Sequence, residues 1–203
     1  MNQFNQKNYY RIMLGRKSIF AKECYEGKWI GAGWLKSSSL ENELVENWRD
    51  FNKKFIPNYL STYDRSSKVA AGLACSMLHT ICKGIEIDDL VLCPDGEGNY
   101  LVGEVKSDYF FIPETELPHR RKVEWYEKKI PRTEMSIELK RSTGSTGTVS
   151  KITKYAEEIQ NLIKGNRPSK IYSDDETIED PSNFAMEKHL EDFLISNWSI
   201  TSL

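Results

Sequence analysis

Residues 85–106 read IEIDDLVLCPDGEGNYLVGEVK. Two apolar runs flank a Pro-Asp-Gly-Glu-Gly cluster, the composition of a turn, so the stretch predicts a β-hairpin with arms Ile87–Cys93 and Tyr100–Ile112. Downstream, residues 119–132 read HRRKVEWYEKKIPR, a further strand expected over Lys122–Lys128 that carries a basic cluster. Working outward, the sheet seeded by this hairpin acquires a strand over Tyr9–Leu14 and another over Lys28–Trp34, where Gly31 and Gly33 share a face with Trp29 and allow close backbone approach.

The hairpin also contains a literal PD-(D/E)xK spelling, Pro94-Asp95 with Glu104-Val105-Lys106. Such a site needs an Asp and a Glu on adjacent strands to hold a divalent metal, and a Lys to orient or deprotonate water. With the turn centred near Gly96-Glu97, facing residue numbers sum to about 193, which sets Glu104 opposite Asp89. Asp95 then stays in the turn, roughly 20 Å from Glu104 at ~3.3 Å per residue. The literal motif therefore fails. A repaired set, Asp88 or Asp89 with Glu104, Lys106 and Mg2+, stands as an alternative that makes the chain a stand-alone nuclease. Against it, more strand and a basic segment follow Lys106, and the plain reading is a turn aspartate and a solvated strand pair.

The chain has 203 residues, 39% hydrophobic and 29% charged, the balance of a globular protein with a modest core. No apolar run approaches the ~18 residues of a membrane helix. The N-terminal MNQFNQKNYYRIML lacks the apolar core of a secretory signal, so a cytoplasmic location without membrane partners is expected. Cys24, Cys75, Cys82 and Cys93 lack CxxC spacing and only three histidines are present, so no zinc site and no cofactor is expected. Net charge is −2, but its distribution is uneven. Pro118–Lys154 carries ten Lys/Arg against four Asp/Glu, and Tyr172–Asp192 one Lys against eight acids. That pattern fits an anion-binding surface followed by an acidic tether.

Elsewhere, Ser18 reads as the N-cap of a short helix ending at Gly27. Trp48, Phe51, Phe55, Tyr59 and Leu60 recur at helical spacing, with Pro57 expected to interrupt or kink the helix. Lys68–Lys83 is a second helix stopped by Gly84. Pro131–Glu134 opens a helix to Arg141, residues 142–147 form a polar loop, and Ile152, Tyr155, Ile159, Leu162 and Ile163 mark a helix closing at Gly165. The expected organisation is a domain over 1–164, a linker over 165–182, and a last amphipathic helix within 183–203.

Three segments together resemble the PUA-like barrels, particularly their EVE and YTH branches. These are YYRIML…SIFAKECYEGKWIGAGW, then Asp88-Asp89-Leu90-Val91 leading into Tyr100–Val105, then Lys122–Trp125 with Ile130-Pro131 downstream. More closely, residues 9–163 resemble the N-terminal specificity domain of bacterial modification-dependent-type restriction endonucleases, in which a strand like HRRKVEW precedes a helix and a loop like GSTGTVSKI. Residues 187–194, EKHLEDFL, resemble the opening helix of the PD-(D/E)xK domain that follows in such enzymes. The resemblance implies an α+β fold, an EVE-like small β-barrel wrapped by helices. It also implies a DNA reader for a modified, flipped base in a restriction or phage-defence setting. With the chain stopping at Leu203 before any catalytic strand, the expectation is a reader without catalytic activity, acting with a nuclease subunit or as a homodimer.

For such a reader, flipping costs a few kcal/mol that stacking and edge hydrogen bonds must offset. Trp29 and Trp34, five apart and hence on opposite strand faces, are candidate pocket walls with Tyr109 and Phe110. The plain alternative for each is a core aromatic. Arg11, Arg16, Lys17, Arg120, Arg121, Lys122, Lys140 and Arg141 are candidate phosphate contacts, joined by Ser142, Thr143, Ser145 and Thr146. Their plain alternative is a solvated basic face. A protein-interaction module with purely structural aromatics is the remaining reading.

Overall fold

The structure, a computed structural model, describes residues 7–64 and 66–165. The helix expected within 183–203, and the linker beyond Gly165, lie outside the described residues. Eight strands form one curled sheet, a half-barrel: β1 Tyr9–Ile12, β2 Trp29–Ala32, β3 Leu90–Pro94, β4 Asn99–Val105, β5 Phe110–Phe111, β6 His119–Trp125, β7 Ile130–Pro131 and β8 Val149–Lys151. The main path runs β2-β6-β4-β3-β1-β8, with β5 on β6 and β7 on β4. Only β1–β3 is parallel; the remaining pairs are antiparallel. β6 produces much of the curl, because its residues 123–125 pair with β4 while 119–122 pair with β2.

The helices are α1 Ala21–Glu26, α2 Trp48–Thr62, α3 Lys68–His79, α4 Ile137–Thr143 and α5 Ala156–Lys164. A π-helical turn, Thr80–Gly84, continues α3 and closes with the Ile85 amide on the Thr80 carbonyl. Alternation along the central strands separates two cores. Tyr10, Ile12, Val91, Cys93, Leu101 and Val105 face α1, α2 and α3, where Phe51, Phe55, Ala74 and Leu78 pack. Tyr9, Leu90, Leu92, Tyr100 and Val102 face Leu139 of α4 and Ile159 and Leu162 of α5. Coverage on both faces explains why Leu90-Val91-Leu92-Cys93 is an unbroken apolar run.

Several sequence expectations need correction. Helix α2 runs through Pro57 instead of ending there. Ser18 does not cap α1; a 3-10 turn over Arg16–Ser18 comes first, and the Ser18 hydroxyl meets the Met13 sulfur. The helix expected from Pro131 begins later, at Ile137, where the Ser136 hydroxyl accepts from the Leu139 amide. That helix runs on to Thr143, two residues into the expected polar loop of 142–147, and residues 149–151, for which no element was expected, pair as β8 with β1.

The hairpin register is one residue from the expected one, with Pro94 opposite Tyr100 and Leu90 opposite Glu104. A one-residue shift reverses the faces. Asp89 therefore turns away from Glu104 and is buried, its carboxylate accepting the amides of Asn8 and Glu86 at 2.7 and 2.9 Å. Asp95 remains in the turn, accepting from the amides of Glu97 and Asn99 and from Lys129. Asp88, Glu104 and Lys106 do meet, but Lys106 Nζ lies between the carboxylates at 2.6 and 2.7 Å. A divalent ion bridging Asp88 and Glu104 would have to displace that ammonium. Among the described residues, no group of three or more His, Cys, Asp or Glu side chains is arranged to hold a metal. The residues do not fit the Mg2+ of the nuclease alternative.

The Glu104 carboxylate also accepts from Lys7 and from the Tyr126 hydroxyl at 3.0 Å. Burial pushes its pKa up, but the hydrogen bonds from Lys106, Lys7 and Tyr126 outweigh burial and hold it at about 2. Because the folded value lies below the ordinary 4.5, the stabilisation is complete above pH 4.5 and is lost as pH falls toward about 2. After allowance for solvent screening at the exposed lysines, Glu104→Gln should cost ~1–2 kcal/mol at neutral pH. Denaturant unfolding at pH 7 and pH 3 checks this: the wild-type loss between the two should shrink in the variant.

Candidate functional site

The first cavity, about 440 Å³, is lined by two half-buried aromatics, Phe20 and Trp34, together with Met13, Gly31–Gly33 and Thr146–Thr148. Both rings pack on the α1–α3 core and also border the cavity. Gly33 permits its close walls: a Cβ there would collide with the Glu116 carbonyl on the segment leading into β6. Arg16 and Lys17 stand exposed on the rim, and Lys36 is held across it by an ion pair with Glu116.

Backbone strain gathers beside this cavity. Lys17 and Ser18 (φ 55° and 62°) and Leu35 (φ 50°) lie in the left-handed region, which costs a non-glycine residue ~1–2 kcal/mol. Such conformations persist only where the surroundings over-determine them, and they cluster at ligand sites. For Leu35 the surroundings are visible. The Leu40 amide donates to the Tyr109 hydroxyl oxygen at 3.0 Å, the Tyr109 hydroxyl meets His119 Nδ1 at 2.9 Å, and His119 Nε2 meets the Leu35 carbonyl at 3.2 Å. A carbonyl only accepts, so Nε2 carries the hydrogen and Nδ1 accepts. The network ties the segment carrying Trp34 and Leu35 to β6. Burial holds the fully buried His119 below its usual pKa. Followed by NMR, its imidazole should therefore titrate below the ordinary 6.5; a midpoint at or above 6.5 would contradict its burial.

A second cavity adjoins the first, with Met13 and Thr146 lining both. Arg11, Tyr100, Arg132 and Ser145 contribute its polar wall. Arg11 is on β1 yet only 2% exposed, facing the same side as Tyr9. It is not the surface phosphate contact that its charge suggested.

The expected site residues divide sharply. Trp34, Arg16, Lys17 and Thr146 border the first cavity, and Arg11, Thr143, Ser145 and Thr146 the second. Trp29 is not a pocket wall: it is buried, with the Arg120 guanidinium stacked 3.5 Å from its ring centroid. Arg120 is thereby occupied, and its Nε donates to the Leu117 carbonyl at 2.7 Å. Tyr109 serves the His119 network, and Phe110 pairs with Arg120 in the sheet. Arg121 is 2% exposed and donates to the carbonyls of Ser107, Ile81 and Ile85, so it caps the chain after α3 and does not reach solvent. Lys122 and Arg141 are exposed but line neither cavity. Lys140 Nζ donates to the Thr133 carbonyl, the Ser142 hydroxyl pairs with that of Tyr155, and Thr143 is fully buried.

Sequence reasoning missed Phe20, Lys36 and Arg132. Phe20 sits in the turn before α1, where periodicity carries no signal. Lys36 follows the Gly31–Trp34 strand signal by two residues, and Arg132 follows Ile130-Pro131, so proximity to those motifs was the available clue.

Among the described residues, no helix is long and apolar enough to cross a membrane. No curated protein matches the chain. A family model described as a domain of unknown function, DUF8426, matches residues 10–153, a span that holds every residue lining the two cavities. By that match, over most of its length, the chain belongs to the DUF8426 family.

Proposed function

We propose that the chain is a PUA-like reader of DNA, with the cavity lined by Phe20 and Trp34 receiving a modified base flipped from the duplex. The observation that carries the reading is that these two rings, each packed on the core, both line a cavity of about 440 Å³ that Arg16 and Lys17 also border. Its volume is within the ~300–1,000 Å³ of small-molecule sites. Stacking on such rings contributes ~1–3 kcal/mol per base, enough to offset much of the flipping cost. Arg16 and Lys17 form no ion pair among the described residues, so both are available to phosphates. Glu116, which also lines the cavity, pairs with Lys36 through Oε2, and its other carboxylate oxygen is an acceptor suited to an exocyclic amino group.

The test is binding to matched duplexes carrying cytosine, 5-methylcytosine, 5-hydroxymethylcytosine or N6-methyladenine, at two salt concentrations with magnesium present and strand breaks monitored. Preference for one modification without breaks is the expected result. Magnesium-dependent breaks would restore the nuclease alternative, and absence of binding at low salt would leave a protein-interaction module.

A rim substitution tests the phosphate role separately from stability. Lys17→Gly removes a charge while relieving the left-handed strain, so stability should stay within ~0.5 kcal/mol as this relief offsets the greater unfolded-state freedom of glycine. The slope of log affinity against log salt should fall by ~0.9, the value of one phosphate contact. An unchanged slope would remove Lys17 from the interface.

A further inference from the structure

We infer that the second cavity is a phosphate site, built from Arg11 and Arg132 with the Ser145 hydroxyl. The inference rests on charge and hydrogen-bond accounting and does not depend on the base reading. Arg11 is 2% exposed, and its one protein acceptor among the described residues is the Gly147 carbonyl, which meets Nη1. Among the described residues its buried Nε has no hydrogen-bond partner, and neither does the buried Oγ of Ser145, which also lines the cavity. Arg132 is itself hydrogen-bonded, Nη1 to the Tyr100 hydroxyl at 3.0 Å and Thr143 Oγ1 at 3.3 Å and Nη2 to the Lys140 carbonyl at 2.9 Å, so the unmet donor capacity is that of Arg11.

Neither arginine forms an ion pair among the described residues. The nearby turn carboxylate, Asp95, is already engaged by Lys129 and by the turn's own amides. Burial above all lowers the Arg11 pKa; Tyr100 and Cys93 act against it, Arg132 adds a smaller lowering, and no carboxylate is among these neighbours. Two like charges thus line one cavity, and no carboxylate among the described residues pairs with either. Buried cations are retained when paired, and guanidinium pairs match phosphate oxygens with two-pronged geometry.

Arg121 provides the contrast within the same molecule. It is equally buried, but its donors end on three carbonyls and it faces neither cavity. A structural arginine here is a satisfied one, and Arg11 is not satisfied. Because Met13 and Thr146 line both cavities, a phosphate bound here sits beside the proposed base site.

The experiment follows thermal unfolding of the full chain with inorganic phosphate, a 5′-deoxymononucleotide, or a short oligonucleotide lacking terminal phosphates, each against chloride at equal ionic strength. A saturable rise in Tm with phosphate is expected. Displacement of phosphate by the oligonucleotide identifies the source as a nucleic-acid backbone; displacement by the mononucleotide alone identifies a free phosphate monoester. Ser145→Asp supplies the missing counter-charge, so it should raise Tm without phosphate and weaken phosphate binding at least about tenfold. Ser145→Ala should fold normally and bind phosphate a few-fold less tightly. No saturable effect from any of the three probes, or a Ser145→Asp variant that responds like wild type, overturns the site. Failure to discriminate modified bases, with phosphate still bound, would remove the base reading alone.

Discussion

Trp34→Ala should lower affinity for the preferred modified duplex by roughly 10- to 100-fold, the equivalent of ~1–3 kcal/mol of lost stacking. Binding to the unmodified duplex at low salt should change little, because Arg16 and Lys17 remain on the rim. The indole also packs against the α1–α3 core, so the variant should lose ~1–3 kcal/mol of stability as well. Trp34→Phe separates the effects, since it keeps a stacking face and should recover most of the discrimination. Competition binding between modified and unmodified duplexes reads the result. Equal affinity loss for both duplexes would mean that Trp34 supports the fold without touching a base. Trp29→Ala should behave oppositely: it removes a buried ring and the platform under Arg120, so it should lower stability first and affect binding only through unfolding.

Arg121→Ala should have the largest effect on stability. The guanidinium bonds the Ser107 carbonyl at 2.6 Å, Ile85 at 2.8 Å and Ile81 at 3.4 Å. These join β6, the segment after β4 and the π-helical end of the α3 arm. Truncation leaves buried carbonyls unsatisfied, at ~1–3 kcal/mol each, and opens a cavity the size of the lost side chain. The total should reach ~4 kcal/mol or more, a large part of the margin by which a domain of this size is stable. Denaturant unfolding measures it. Arg121→Lys should recover little, because a single ammonium cannot address three separated carbonyls as the planar fork does. A variant that stays stable but loses affinity for DNA would return Arg121 to the phosphate-contacting group.

These two residues show where sequence reasoning stops. A strand was legible here, expected over Lys122–Lys128 and found three residues earlier over His119–Trp125, and the basic content of the region suggested an anion-binding surface. Within the strand, however, successive side chains point to opposite sides, and the curl of β6 from β4 to β2 changes what each side meets. Arg120 thereby lies over Trp29 and Arg121 enters the core. Neither outcome follows from composition. The pocket aromatics divide for the same reason: Trp29 is inside paired β2, while Trp34 follows the strand on a segment that the His119 network holds beside the cavity.

The sequence by itself determined the elements whose signals are local. The hairpin, the two amphipathic helices α2 and α3 and the glycine stops could be read because turn chemistry and apolar periodicity act over a few residues, while the α+β class came from the resemblance. It also showed that Asp95 could not join Glu104, since a turn residue cannot reach mid-strand. Only the tertiary structure decided the one-residue register that separates Asp89 from Glu104, the recruitment of residues 149–151 as β8, and the meeting of Arg11 with Arg132 across 121 positions of chain. Those outcomes depend on which distant surfaces pack together and which charges burial leaves without a partner, and the free energies that select them arise only when the sheet has closed around its two cores.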